Sequence, residues 1–207
     1  MKLRTEKYSE QLARWPDQGR HILAQFDDES VVVYQAYRPA IGLFAIEHQR
    51  FGGAFSFSRM SWIKPNFLWM MYRSGWGKKT GQEIVLAIRL KREYFNEILR
   101  NAIPSTNLGN LPQEEWKQQV TSSAVRLQWD PDHRPCGQKE ERRAIQLGLR
   151  NEFLKPFDGE GIIEVIDMRS FVAEQYELVK QEKLDQLVLP AEELYPLDND
   201  LQKVLFI

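Results

Sequence analysis

Residues 59–77 read RMSWIKPNFLWMMYRSGWG, with five large aromatics (Trp62, Phe67, Trp69, Tyr72, Trp76) set among three cations (Arg59, Lys64, Arg73). A core helix wants the rings without the cations. A solvated helix tolerates the cations without so much ring surface. A surface that grips a flat anion wants both, because rings stack on bases while Arg and Lys meet phosphates. Trp62, Trp69 and Trp76 recur every seven residues, which on a helix would put them on one face. Two readings compete: a ligand face led by Trp62, Arg59, Lys64 and Arg73, and a core face, which suits Phe67, Leu68, Met70 and Met71.

A second chemical signal is Glu164, a carboxylate in the middle of the apolar run IIEVID. Strand-centre carboxylates are uncommon unless they face solvent or a site, so Glu164 is the candidate catalytic group. Tyr34, Gln35, Tyr37 and Arg38 close a β-branched run just before Pro39. Such a strand end, feeding a helix start, collects free N–H groups and a cation suited to a ligand. The competing reading packs the tyrosines in the sheet and pairs Arg38 with an acid.

In RLQWDPDH, Arg126, Gln128 and Asp130 alternate onto one strand face. Asp130, Asp132 and His133 offer oxygen and imidazole ligands for a divalent cation. The plainer reading, and the one preferred, is a turn whose aspartates cap backbone N–H groups. Arg142, Arg143 and Gln146 follow on a segment that could point at the same cleft as Gln128. Glu140 and Glu141 alongside them suit the first turn of a helix. No phosphate-binding loop of the needed spacing, no Gly-x-Gly-x-x-Gly and no Gly-x-Ser-x-Gly is present. The histidines at 21, 48 and 133 form no metal-binding pair.

These residues need elements to hold them. Residues 21–26 and 31–37 read as a hairpin, residues 40–50 as a helix closed by Gly52-Gly53, and residues 54–58 as a short alternating strand. Pro65 starts a helix that Gly75 and Gly77 end. Residues 83–90 are a strand, 91–101 a helix, 124–129 a strand, and 139–155 a helix with Ile145, Leu149 and Phe153 inward. Residues 161–166 are a strand and 170–184 a helix. Strands and helices alternate, and several strands alternate polar with apolar residues, predicting an α+β fold with a mixed or antiparallel split sheet flanked by helices. Residues 1–14 read as an N-terminal extension carrying a short helix, 15–185 as one domain, and 186–207 as a tail packed on it.

The chain has 207 residues, 43% hydrophobic and 28% charged, enough for a core without staples. Net charge is −1, yet residues 59–92 carry eight Lys and Arg against the acid Glu83, whereas residues 158–200 are strongly acidic. Either an anionic partner meets the basic segment, or the two segments neutralise each other. Cys136 is the sole cysteine, so no internal disulfide or Cys-based zinc site exists. No apolar run reaches membrane-span length and no secretory signal is evident, so a cytoplasmic protein with no membrane partner is expected.

The segments WPDQGRHILAQFDDESVVVYQAYRPAIG, FSFSRMSWIKPNFLWMMYRSGWG, EIVLAIRLKREYF and VRLQWDPDH…ERRAIQLGLR resemble the family labelled domain of unknown function 4291, over residues 15–172. More faintly, the chain resembles ADP-ribosyltransferases that modify nucleic acid. That second resemblance implies a split-sheet cleft holding NAD. It implies that Arg38, or Tyr37, holds a phosphate, and that Ser56 or Ser58 meets the nicotinamide ribose. Trp62 or Tyr72 would stack the nicotinamide and Glu164 would drive transfer. The sequence departs from that pattern at Ile162, where a polar residue is usual.

The leading expectation is therefore an NAD-using enzyme acting on a nucleotide or nucleic acid, with Arg59, Lys64, Arg73, Arg89, Gln128 and Arg142 contacting phosphate. One alternative is a non-catalytic module for RNA or a modified base. Another is a metal-dependent phosphodiesterase built on Asp130, Asp132 and His133.

Overall fold

A computed structural model describes residues 3–207; the first two residues of the expected N-terminal extension lie outside them. Strand β1 (Thr5–Lys7) runs into helix α1 (Tyr8–Leu12), followed by β2 (Leu23–Ala24), β3 (Ser30–Tyr37) and α2 (Pro39–His48). Then come β4 (Ser61–Ile63), α3 (Phe67–Ser74), β5 (Ile84–Lys91), α4 (Arg92–Arg100), β6 (Ala102–Pro104) and α5 (Gln113–Ser122). The remainder is β7 (Val125–His133), β8 (Lys139–Leu149), β9 (Ile162–Asp167), α6 (Arg169–Lys180), β10 (Val188–Pro190), β11 (Glu193–Leu194) and α7 (Asn199–Leu205).

Two sheets carry the architecture. One is three-stranded and antiparallel, in the order β3-β5-β9; the other is four-stranded and mixed, in the order β4-β8-β7-β6. The alternation of strands and helices thus gives the α+β class that it predicted. The three-stranded sheet is apolar on both faces. Val31, Val33, Leu86 and Ile88 face a core shared with Phe95, Leu127 and Leu147. Val32, Tyr34, Val85 and Ala87 face a second core built with Phe67, Leu68, Met71 and Val172. Buried on both sides, this sheet is the rigid platform of the molecule.

The C-terminal segment ties the ends together. β10 pairs with β1 and β11 with β2, both antiparallel. Glu192, fully buried between them, accepts from the Phe67 N–H at 2.6 Å and from Asn66 Nδ2 at 3.1 Å, so it caps α3 from outside. Asn66 Oδ1 accepts from the Trp69 N–H at 2.7 Å, and Gly75 ends the helix at φ 57°. That left-handed turn suits glycine.

Four local expectations are corrected. Residues 139–155 form no helix: β8 occupies 139–149. The stripe Ile145, Leu149, Phe153 fits a period of two as well as one of 3.6, and Leu147, also fully buried, settles it as a strand between β4 and β7. Residues 54–58 are coil, because Phe55 and Phe57 pack edge to face at 4.9 Å and anchor a loop instead. β2 pairs mainly with β11, leaving a single bridge, Phe26 to Val31, where the hairpin was expected. Finally, the three spaced tryptophans share no helix face. Trp62 lies in β4, Trp69 in α3 and Trp76 in the turn after it.

Candidate functional site at the seam of the two sheets

β3 and β4 meet where the sheets join. The Tyr34 N–H donates to the Lys64 carbonyl at 2.7 Å, and the Lys64 N–H donates back at 3.3 Å. Further along β3, Gln35 Nε2 donates to Ser61 Oγ at 2.9 Å and to the Trp62 carbonyl at 3.1 Å. Tyr37 and Ser61 share a hydroxyl–hydroxyl bond of 2.6 Å. Gln35 is a buried amide in an otherwise apolar strand, and a buried amide demands such partners. The seam is therefore stitched by side chains that a purely structural strand would not carry.

Beside it opens a cavity of about 480 Å³, a size that suits a small organic ligand. Gln35, Tyr37, Ser61, Trp62, Lys64, Arg73, Gln82, Gln128 and Gln146 line it, with Ala36, Met60 and Met70. The register explains the convergence. Trp62 lies opposite Gly148, and Gln128 opposite Gln146, all on one face of the four-stranded sheet. Gly148 makes the room: a Cβ there would fall 3.0 Å from the Trp62 ring and 2.7 Å from the Met60 sulfur.

Lys64 is the chemical centre of this cavity. It is 4% exposed, and among the described residues its amine has neither a hydrogen-bond acceptor nor an ion-pair partner. Its Nζ sits 5.2 Å from the centroid of the Trp69 ring. Burial and, after it, the nearby Arg73 cation push the Lys64 pKa down to about 7, against a pull upward from Asp130. Asp130 is held by Gln128 Nε2 at 3.0 Å and Gln146 Nε2 at 2.7 Å. Burial raises its pKa above the usual carboxylate value, while those two amides and Lys64 work the other way. The Trp69 indole N–H also favours the Asp130 carboxylate, though it falls outside hydrogen-bond geometry. An amine poised near neutrality in a cavity wall, with a carboxylate held behind two of the amides that line it, can take up or release a proton.

Of the residues singled out in the sequence, Gln35, Tyr37, Trp62, Lys64, Arg73, Gln128 and Gln146 line this one cavity. Arg38 is exposed at the start of α2. Ser56 and Ser58 are exposed in the loop before β4 and bond to each other at 3.0 Å; Arg59 is exposed beside them. Tyr72 stacks on His133 at 3.5 Å, outside the cavity. Trp69 and Trp76 are buried at 6% and 7% exposure, so they belong to the interior, not to a ligand face.

Glu164 pairs with Arg89 at 3.0 Å. Arg89 lies opposite Val32, whereas Gln35 lies opposite Leu86, so Arg89 and Glu164 occupy the other face of the platform sheet from Gln35 and Tyr37. Arg142 is buried, bonded to Asp132 at 2.5 Å with its guanidinium 5.2 Å from the Trp15 ring centroid. Among the described residues no group of three or more His, Cys, Asp or Glu is arranged to hold a metal ion. No helix there is long and apolar enough to cross a membrane. Ser61, Gln82 and Gly148 were not singled out, because a serine, a polar glutamine and a strand glycine carry no signal without the register.

A family model described as "Domain of unknown function (DUF4291)" matches residues 21–195, most of the chain, and the chain belongs to that family. No curated protein matches it.

Proposed function

We propose that this member of the DUF4291 family binds a nucleotide, free or at the end of a single strand, in the cavity between β3, β4, β7 and β8. One observation carries the reading: an indole, two cations, three strand-borne amides and a hydroxyl pair line a single pocket. Trp62 offers a stacking face. Arg73, at the mouth, and Lys64, inside, supply positive charge for phosphate. Gln128 and Gln146 supply amide groups of the kind that read a base edge, and Lys64 is a group that takes up or gives a proton. Calorimetric titration with nucleoside mono- and triphosphates tests this. Micromolar or tighter binding that Trp62→Ala and Arg73→Ala both weaken is the expected result; no heat with any nucleotide ends the reading.

A second reading, NAD-dependent ADP-ribosyl transfer, has one observation in its favour. Tyr37 from an early strand and Ser61 from the next line the cavity, and Asp130 from a later one is bonded to two amides of its wall, Gln128 and Gln146, so the three follow in chain order. In that reading Ser61 takes the place assigned to Ser56 or Ser58, and Asp130 the place assigned to Glu164. NAD turnover lost in Asp130→Asn and kept in Glu164→Gln supports it. Loss in Glu164→Gln alone refutes this placement.

A further inference from the structure

We propose that Lys64 is a covalent nucleophile that accepts the nucleoside-monophosphate group of a nucleoside triphosphate. This rests on the nucleotide reading above and adds a reaction to it.

Other buried cations in this molecule have acids: Arg142 has Asp132 at 2.5 Å, and Arg89 has Glu164 at 3.0 Å. Lys64 has none within bonding distance among the described residues, although it is as buried as they are. A lysine kept for structure would be expected to reach an acceptor within the protein. This one is held by its backbone between two sheets, with its amine presented to the cavity. The charged groups around it are Arg73 from α3 and Asp130 from β7, with the Trp69 ring beneath and the Gln128 and Gln146 amides beyond. A desolvated amine next to a second cation is how a lysine becomes a nucleophile near neutral pH.

The step uses these groups as they stand. The Lys64 nitrogen forms a bond to the α-phosphorus, and the anhydride bond between the α-phosphorus and its bridging oxygen breaks. Pyrophosphate leaves with that electron pair, as the complex of the divalent cation that arrived with the triphosphate. The proton lost by the amine passes through a water to Asp130, which lies beyond direct bonding distance of the Lys64 nitrogen. Arg73 stands where the departing charge needs a counterion. The product is a phosphoramidate on Lys64, an activated nucleotide for transfer to an acceptor.

The full chain is incubated with each α-labelled nucleoside triphosphate and Mg²⁺, denatured, and analysed by intact mass and peptide mapping. Binding is read separately with an α,β-methylene triphosphate, which cannot release pyrophosphate. The expected result is an acid-labile gain of one nucleoside monophosphate on Lys64, absent in Lys64→Arg. Because that variant removes a buried group and risks misfolding, the wild-type labelling rate is also followed against pH. A half-maximal rate near pH 7, not near the usual lysine value of 10.5, is expected. Binding of the methylene analogue with no label, or label on another residue, overturns the covalent step and leaves the nucleotide reading intact. Failure of both analogue and triphosphate to bind overturns the two together.

Discussion

The backbone of Tyr34 and that of Lys64 hold one another across the seam, at 2.7 and 3.3 Å, and nothing else joins β3 to β4 as a ladder. The bridge fixes the side chain that the fold can least comfortably bury. A one-residue slip of β4 would turn Trp62 and Lys64 away from the cavity and Ile63 into it, since strand side chains alternate faces. The cavity's chemistry therefore depends on this register.

Burying Lys64 costs stability, and the cost depends on pH. Its folded pKa, about 7, lies below the unfolded value of 10.5. Between those values the unfolded chain binds the extra proton, so stability rises with pH across that window, and the full penalty is present below it. Lys64→Met should therefore stabilise the protein, by roughly 2 kcal/mol near pH 6, with the gain shrinking towards pH 10. Urea denaturation at pH 6, 8 and 10 measures it. A variant less stable than wild type at pH 6 would show that the amine has a partner in the folded protein.

Trp62 is half-buried and lines the cavity. Loss of a stacking face costs about 1–3 kcal/mol per base. Trp62→Ala should thus weaken nucleotide binding about tenfold to hundredfold, while Trp69→Ala, in the interior, should first lower the melting temperature. Calorimetric titration alongside thermal unfolding separates the two effects. Equal loss of affinity in both variants at a temperature where both are folded would contradict the assignment of stacking to Trp62.

Much of this was legible in the chain. EIVLAIRL was a strand by its apolar run from Ile84 to Ile88, and Pro65 with Gly75 bounded α3. The cavity's aromatic and cationic members could be picked from residue type alone. What sequence could not supply was pairing. Glu164 looked functional because a carboxylate in an apolar strand needs a reason, but the reason is Arg89 on the neighbouring strand, invisible before β5 and β9 are set in register. Arg142 looked like a phosphate contact for the same cause. Helix and strand were confused at residues 139–155 because apolar residues four apart fit both periods.

Gly148 offers a test of the cavity's shape that touches no polar group. A methyl group there must displace Trp62 or Met60, at 3.0 and 2.7 Å from the added carbon. Overpacking of this kind costs about 1–3 kcal/mol. Met60 is flexible and can yield, so Gly148→Ala should sit at the low end of that cost while tilting the Trp62 ring and lowering nucleotide affinity. Tryptophan fluorescence and calorimetry on the variant report both. Unchanged affinity together with a shifted emission would mean that Trp62 moves without contacting the ligand.

The Asp132–Arg142 pair separates fold from function. Both side chains are almost wholly buried, at 1% and 2% exposure, and Arg142 Nε donates to Asp132 Oδ2 at 2.5 Å. Burial raises the Asp132 pKa while Arg142 and, less, the His133 N–H draw it down, so removing the guanidinium leaves that one N–H against desolvation. Breaking one side of such a pair costs about 3–5 kcal/mol, whereas replacing both by apolar groups costs little or stabilises. Arg142→Met should therefore destabilise strongly, and Arg142→Met with Asp132→Leu should recover much of the loss in a denaturation cycle. Nucleotide affinity of the folded double variant should match wild type, because neither side chain lines the cavity. A folded double variant that no longer binds would restore Arg142 to the role of a phosphate contact.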